Sequence, residues 1–379
     1  MSRAFVVVMD AVGAGPLPDS ASYGDPGADT LVHLAEMAGG LELPVLQRLG
    51  LGNLRPIAGV APTERPEALH GRLRPLGPGK DSTTGHWELM GVITPHALPT
   101  FPDGFPDEVV ARLREVTGHE YICNRPYSGT EVIEDFGAEH LRSGALILYT
   151  SQDSVLQIAA HGDVLSETEL RDVCAAARAV TDVGRVIARP FTGVPGAFER
   201  TTGRKDFSVE PPSRSYLVAL QEAGVPVHAV GKPADLFAGV GIDEPHPGAT
   251  NAIALDSTAR LLDDLDRGLV FTNLIETDQV YGHRKDVEGF HAALRGIDEA
   301  VGAWLGRLRD DDLLVLTADH GVDPASGHTD HTREHVPLLA VFAGHGGRRH
   351  DGPFSDVGAT VLKWLTGGTD DELPGESFA

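Results

Sequence analysis

Positive charge is scarce in this chain: 31 Lys and Arg stand against 55 Asp and Glu in 379 residues, a formal net charge of −24. A nucleic-acid binder needs a basic face to neutralise phosphates, so neither DNA nor RNA is an expected partner, and acidic membranes are disfavoured for the same reason. Cysteine is scarcer still. Cys123 and Cys174 lie far apart with no CxxC pairing, which excludes a disulfide framework or a multi-cysteine metal site and predicts two buried, reduced thiols. Long apolar runs are also missing. The N-terminal run Phe5–Met9 is too short for a signal peptide and ends in Asp10; nothing approaches the ~18 residues of a membrane span, so a cytoplasmic location is the default expectation. Neither an internal repeat nor a low-complexity tract interrupts the chain.

Apolar residues (41%) and charged residues (23%) fall in the ordinary globular range, so the large net charge does not signal disorder. At roughly 150 residues per domain, the length predicts two domains. Three apolar runs share one ending: Phe5–Met9 leads to Asp10, Leu269–Ile275 to Glu276-Thr-Asp278, and Leu313–Leu316 to Thr317-Ala-Asp319-His320. Buried strands that each deliver an acid to a loop are the pattern of a parallel α/β sheet with its site at the carboxyl edge. From Asp286 to Arg309 apolar residues recur at three-to-four spacing, predicting the crossover helix between the second and third of these strands. Val225–Val230 and Leu338–Phe342 are further strand candidates of that sheet. The middle of the chain has shorter elements between proline-rich stretches (Pro95–Pro106, Pro211-Pro212). The fold class is therefore α/β: a mainly parallel sheet flanked by helices, at 1–95 and 210–379, with a smaller α/β domain inserted at 96–209.

Taken singly, a strand-end Asp is more often a cap or turn former and a lone His a satisfied polar group. Together, Asp10, Asp278, His283, Asp319, His320 and His331 make an oxygen and nitrogen ligand set for one or two divalent ions. His328 and His335 exceed what one site can use and are expected at the surface or behind the ligands. A second cluster, Gly77-Pro-Gly79-Lys80-Asp81-Ser82-Thr83-Thr84-Gly85-His86-Trp87-Glu88, lacks the Walker A spacing. Its hydroxyls can cap a helix starting near His86 or supply a nucleophile beside metals. Between Arg185 and Lys205 five basic residues accompany one acid. That segment is either a solvated loop or a set of guanidinium forks for a phosphate, with Lys232 as a possible further contact.

These stretches bring a family into view. Asp10 after an N-terminal strand, Gly79-Lys-Asp-Ser-Thr-Thr-Gly-His-Trp-Glu88, Asp278 with Gly282-His283-Arg284, Thr317-Ala-Asp-His-Gly321 and Thr329-Asp-His-Thr-Arg-Glu334 resemble the phosphopentomutases of the alkaline phosphatase superfamily. The resemblance extends over essentially the whole chain. It implies an alkaline-phosphatase-like core with two divalent metal ions, Mn²⁺ expected, and a mobile cap. One ion would be held by Asp10, Asp319 and His320, the other by Asp278, His283 and His331. The family's phosphorylated hydroxyl falls on Ser82, where most members carry threonine; Thr83 and Thr84 keep a small claim. Substrate contacts fall on Asp153, Arg185 and Arg200 of the cap and on Lys232 of the core.

Ile275-Glu-Thr-Asp278, and the surroundings of Gly248-Ala-Thr-Asn251, depart from the usual family patterns without touching an expected ligand. The implied activity interconverts ribose 1-phosphate and ribose 5-phosphate, and the deoxyribose pair, with a sugar 1,5-bisphosphate as intermediate and a sugar bisphosphate activator for priming. Two alternatives remain at this level. One is another metal-dependent mutase or phosphatase of the superfamily, such as a phosphoglycerate mutase; the other is a non-catalytic protein that binds metal and sugar phosphate.

Overall fold

A computed structural model describes residues 2–151 and 154–379. It contains two compact units, one running up to Ala97 and again from Pro211 to Ala379, the other spanning Leu98–Glu210.

In the larger unit an eight-stranded sheet runs in the order Glu244–His246, Val227–Val230, Gly268–Leu274, Arg3–Met9, Asp312–Thr317, Val336–Val341, Leu69–Arg74 and Gly352–Pro353. The first five are mutually parallel; Val336–Val341 is antiparallel to both of its neighbours. Every residue of Arg3–Met9 is buried, as a strand covered on both faces must be, which is why it reads as an unbroken apolar run. Its one polar residue, Arg3, is fully buried in a two-pronged pair with Asp312 (2.8 and 2.5 Å). The helix Val287–Leu305 is capped by the Asp286 side chain, which accepts from Gly289 N at 2.9 Å, and buries Phe290, Leu294, Ile297, Val301 and Trp304. It is the crossover expected between two parallel strands, Gly268–Leu274 and Asp312–Thr317, with Arg3–Met9 lying between them in the sheet. In register, Met9 faces Leu274 and Val8 faces Thr317, so the acids following all three strands emerge at one edge.

The smaller unit holds a mixed sheet in the order Tyr121–Pro126, Leu146–Thr150, Val155–His161, Arg185–Val194 and Ala197–Arg200, with Lys205–Ser208 also paired to Arg185–Val194. Alternate residues serve opposite faces. Leu146 and Leu148 pack with Leu113 and Leu170 from the helices Asp107–Thr117 and Glu167–Arg178. Ile147 and Tyr149 pack with Val132 and Ile133 from the helix Glu131–Ser143 and with Phe191 and Phe198. Both cysteines are free, but only Cys174 is buried; Cys123 is half-buried. Among the described residues no helix is long and apolar enough to cross a membrane.

Candidate active site

The carboxyl edge of the large sheet gathers the strand-end acids around a short helix. Asp81 caps the helix Ser82–Leu89, its carboxylate accepting from Thr84 N (3.0 Å) and Thr84 Oγ1 (2.7 Å). The helix thus begins four residues before His86, near which a hydroxyl-capped helix was expected to start. The hydroxyls lie within the first turn instead of preceding it, because the carboxylate of Asp81 is the cap and Thr84 spends its own hydroxyl on that cap. Ser82, at the first helical position, is 8% exposed and its Oγ lies 3.1 Å from His320 Nε2. The close approach depends on Gly85, where a Cβ would come within 2.4 Å of the Asp319 carbonyl oxygen. A helix-interior glycine costs about 1 kcal/mol relative to alanine, and here it makes room for the strand end.

Asp10, Asp278, Asp319, His320 and His331 are all buried. Two sets of three ligand atoms form, Asp10 with Asp319 and His320, and Asp278 with His320 and His331. His283 adds its Nε2 at 3.3 Å from Asp278 Oδ1, the same distance as His331 Nε2. The rings of His320 and His331 stack at 3.9 Å, and those of His331 and His283 lie 4.9 Å apart. His283 Nδ1 donates to Thr329 O at 2.7 Å and His320 Nδ1 to Gly321 O at 3.2 Å. Both protons are thereby fixed on Nδ1, which leaves each Nε2 lone pair directed at the carboxylates, the tautomer a metal ligand requires.

Lys232, following the strand Val227–Val230, places Nζ 3.1 Å from Asp10 Oδ2 and 3.9 Å from Asp278 Oδ2. Arg185 and Arg200 belong to the smaller unit. Arg185 is half-buried with Nη1 3.7 Å from Asp206 Oδ2, and Arg200 is exposed at the end of Ala197–Arg200. Asp153 lies outside the described residues.

The site's electrostatics carry the signature of a cation-binding pocket. Asp10 Oδ1, Asp278 Oδ1 and Asp319 Oδ2 are buried and accept no hydrogen bond. His86 Nδ1 comes within 3.1 Å of Asp319 Oδ2, but its hydrogen is directed at Ser82 O, 2.8 Å away. Burial and the Asp319 charge push the Asp10 carboxyl up. Burial opposes ionisation of Asp278 too, but His331 and His283, when protonated in the absence of a metal, outweigh it and hold that carboxyl well below its ordinary value. Buried carboxylate oxygens without donors are costly. Three of them facing imidazole lone pairs form a mixed donor set that fits divalent ions.

Other residues of this site were not singled out from the sequence. Asn273 Nδ2 donates to Asp10 Oδ2 and to His86 Nε2, each at 3.1 Å; its signal was an amide inside an otherwise apolar strand. Asp25, with a fully buried side chain, receives Lys80 Nζ (3.1 Å), His328 Nε2 (2.9 Å) and Arg333 N (2.8 Å), so it ties the hydroxyl loop to the segment carrying His331. His335 is half-buried, its Nδ1 3.2 Å from Pro16 O. A further set, His228, Glu244 and His246, lies on the two strands at the sheet edge, where the imidazoles share a 3.0 Å hydrogen bond.

Glu334 fastens the loops beneath the site. It is buried and accepts from Thr30 Oγ1 and Thr332 Oγ1 (both 2.6 Å), Thr30 N (2.9 Å) and Gly15 N (3.3 Å). Only a glycine fits at Gly321, where a Cβ would meet the Glu334 carboxylate at 2.3 Å. Burial outweighs the four donors and pushes its carboxyl up to about 7. A folded-state value above the unfolded one means that the proton stabilises the fold fully below about pH 4.5, and that this contribution is lost as the pH rises to and through about 7. Glu334→Gln removes the titration, since the amide nitrogen can face the two threonine hydroxyls. Thermal unfolding of both proteins from pH 5 to 8 should show the glutamine variant gaining on the parent by up to about 3 kcal/mol; a pH-independent difference would refute the raised value.

Over residues 2–367 the chain matches the Metalloenzyme superfamily. It is 50% identical over 369 residues to a phosphopentomutase of Anaeromyxobacter sp. (strain K), covering 96% of this chain and 95% of that one. It is 44% identical over 387 residues to the phosphopentomutase of Desulfitobacterium hafniense (strain DSM 10664 / DCB-2), covering 100% and 99%. Among solved structures, Leishmania mexicana phosphoglycerate mutase shares the fold at a TM-score of 0.51 and 14% identity, covering 99% of this chain and 97% of that one. A Pyrococcus horikoshii protein does so at 0.51 and 14%, covering 97% and 98%.

Proposed function

The chain belongs to the metalloenzyme superfamily and, within it, to the phosphopentomutases, and from that membership we propose that it moves phosphoryl groups between the 1- and 5-positions of ribose and deoxyribose through Ser82. The observation that carries the assignment is the placement of Ser82 Oγ. It lies 3.1 Å from His320 Nε2, within the buried set of carboxylates and imidazoles, while Thr84 is committed to Asp81.

In the proposed cycle phospho-Ser82 loses its phosphoryl group to the free hydroxyl of a pentose monophosphate. A P–O bond to the sugar forms as the bond to Ser82 Oγ breaks, and the hydroxyl's proton is balanced by the one Ser82 Oγ takes up. The resulting 1,5-bisphosphate turns over, and Ser82 Oγ recovers the other phosphate. Divalent ions, when bound, neutralise charge on the transferring group. Asp10, Asp319 and His320 would hold one, and Asp278, His283 and His331 the other. Lys232, 3.1 Å from Asp10 Oδ2, sets a further positive charge beside the reacting oxygens. Mn²⁺ as the ion, priming by a sugar bisphosphate, and the assignment of the smaller unit as a substrate-binding cap with Asp153, Arg185 and Arg200 as contacts follow from the family resemblance.

Turnover of ribose 5-phosphate against 3-phosphoglycerate with Mn²⁺ tests this reading. Ribose 5-phosphate should be preferred by several orders of magnitude, and preference for the glycerate would overturn it. Arg200→Ala should raise KM for the sugar phosphate about tenfold or more, as expected for loss of a guanidinium–phosphate contact, with metal content by elemental analysis unchanged. Loss of metal in that variant would remove Arg200 from substrate handling.

A further inference from the structure

Three guanidiniums in the smaller unit line one cleft, and one of them borders the space beside a buried hydroxyl that the proposed chemistry does not use. Tyr149, in the strand Leu146–Thr150, is fully buried, and its hydroxyl has no hydrogen-bond partner among the described residues. Burial pushes the phenol up, while Arg189, Arg200 and Arg204 all lie near enough to pull it down. A Cβ placed on Gly129 would stand 3.2 Å from the Tyr149 hydroxyl and 3.6 Å from Arg200 Nη1, so both groups border the same small space.

The charge there is incompletely balanced. Arg204 is neutralised by a two-pronged pair with Asp206, both contacts at 2.7 Å. Arg189, by contrast, is half-buried, and both of its hydrogen bonds, 3.0 and 2.9 Å, go to the neutral Oε1 of Gln157, while the Asp206 carboxylate that acts on it is already engaged by Arg204. Burial lowers the Arg189 pKa. Neither Arg189 nor Arg200 forms an ion pair among the described residues. Both line a cleft of about 700 Å³ together with Arg204 and Thr130. Its two acids are Glu199, which is exposed, and Glu134, whose Oε1 is taken by Phe198 N at 2.8 Å. A half-buried guanidinium with no carboxylate at ion-pair distance among the described residues, a second one likewise unpaired and an orphaned phenol hydroxyl make a costly arrangement until an anion joins them. The forks of two arginines and one O–H donor match the oxygens of a phosphate monoester.

We propose that Tyr149, Arg189 and Arg200 form a phosphate-monoester subsite within the smaller unit. That the ester belongs to a pentose phosphate, and that this subsite holds the phosphate not being transferred, rests on the function proposed above. The anion site itself stands on the cluster alone. Tyr149 and Arg189 are its new members, the first donating its O–H and the second presenting the guanidinium edge that Gln157 leaves open.

The test uses the full chain carrying Ser82→Ala, so that no turnover occurs, titrated calorimetrically with ribose 1,5-bisphosphate. Adding Tyr149→Phe should weaken binding about tenfold and adding Arg189→Met about a hundredfold, as expected for lost hydrogen bonds to a charged group. Arg189→Lys should recover part of the loss. Titration of metal-stripped protein with inorganic phosphate, followed by ³¹P NMR, should lose affinity in the same order. Tyr149→Phe removes only an unpaired hydroxyl and should leave the thermal midpoint intact, so it remains informative if Arg189→Met fails to fold. Binding of both probes by Tyr149→Phe and Arg189→Lys within twofold of the parent would overturn the subsite. Failure of the mutase reading would look different: no conversion of ribose 5-phosphate by the wild type, with phosphate affinity still dependent on Tyr149 and Arg189.

Discussion

Ser82→Ala should lower the interconversion of ribose 1-phosphate and ribose 5-phosphate by at least about 10⁴-fold, the scale on which enzymes lose rate when a covalent nucleophile is removed. The expectation follows from where the hydroxyl sits. Ser82 occupies the first turn of a capped helix, so the partial positive charge of the helix N-terminus meets whatever anion Ser82 carries. Its Oγ–H points at His320 Nε2, whose proton is held on Nδ1 by Gly321 O. Thr84 cannot substitute without giving up the helix cap, since its hydroxyl is bound to Asp81. Incubation with ribose 1,5-bisphosphate and Mn²⁺, then peptide mapping by mass spectrometry, should find a phosphoryl group on Ser82 and none in the alanine variant. Label persisting on Thr83 or Thr84 in Ser82→Ala would move the nucleophile. Ser82→Thr should keep substantial turnover, because a threonine hydroxyl performs the same chemistry with one added methyl group.

Removal of divalent ions should have the second largest effect, and it should register in stability as well as in turnover. Asp10, Asp278 and Asp319 converge with their inward oxygens buried and undonated. Without a cation the fold confines mutually repelling carboxylates in a poorly solvated pocket, offset only in part by Lys232 and the imidazoles. A ligand present at a hundredfold excess over its dissociation constant stabilises by about 2.7 kcal/mol. For a domain of this size that corresponds to a rise of about 5–10 °C in thermal midpoint. Dialysis against a chelator should therefore abolish turnover and lower the midpoint by that amount, and Mn²⁺ should restore both. Asp319→Asn, which removes one charge common to the cluster, should lose at least half of the metal-induced shift. An unchanged midpoint on chelation would show that these acids do not hold a cation, whatever the cause of any lost activity.

Much of the candidate site was legible in the chain because Asp10, Asp278, Asp319 and His320 closely follow unmistakable strands. The endings of Arg3–Met9, Gly268–Leu274 and Asp312–Thr317 are local features, and a parallel sheet necessarily brings such endings to one edge. Glu334 and Asp25 were not legible. Neither ends a strand, and the importance of each comes from partners drawn from distant loops: Thr30 and Gly15 for Glu334, Lys80, His328 and Arg333 for Asp25. The helix register at the hydroxyl cluster was misplaced for a related reason. Serine, threonine and aspartate are all good caps, so only the observed hydrogen bond from Thr84 N to Asp81 decides among them.

By itself the sequence determined the class of protein, the strand-end acids and histidines, the scarcity of positive charge and its concentration between Arg185 and Lys205. These are properties of composition and of periodicities set by backbone geometry, and they need no long-range information. The tertiary structure decided which of three adjacent hydroxyls faces the imidazoles, which nitrogen of each histidine is open, and that Asn273 and His86 brace Asp10 and Ser82. It also decided that Arg189, indistinguishable in sequence from its basic neighbours, is half-buried against a neutral glutamine in the cleft that Arg200 shares. The physical reason is common to all of these: hydrogen-bond satisfaction and desolvation depend on groups that only the fold brings together, some of them more than two hundred residues apart in the chain, and no local pattern records which of them will meet.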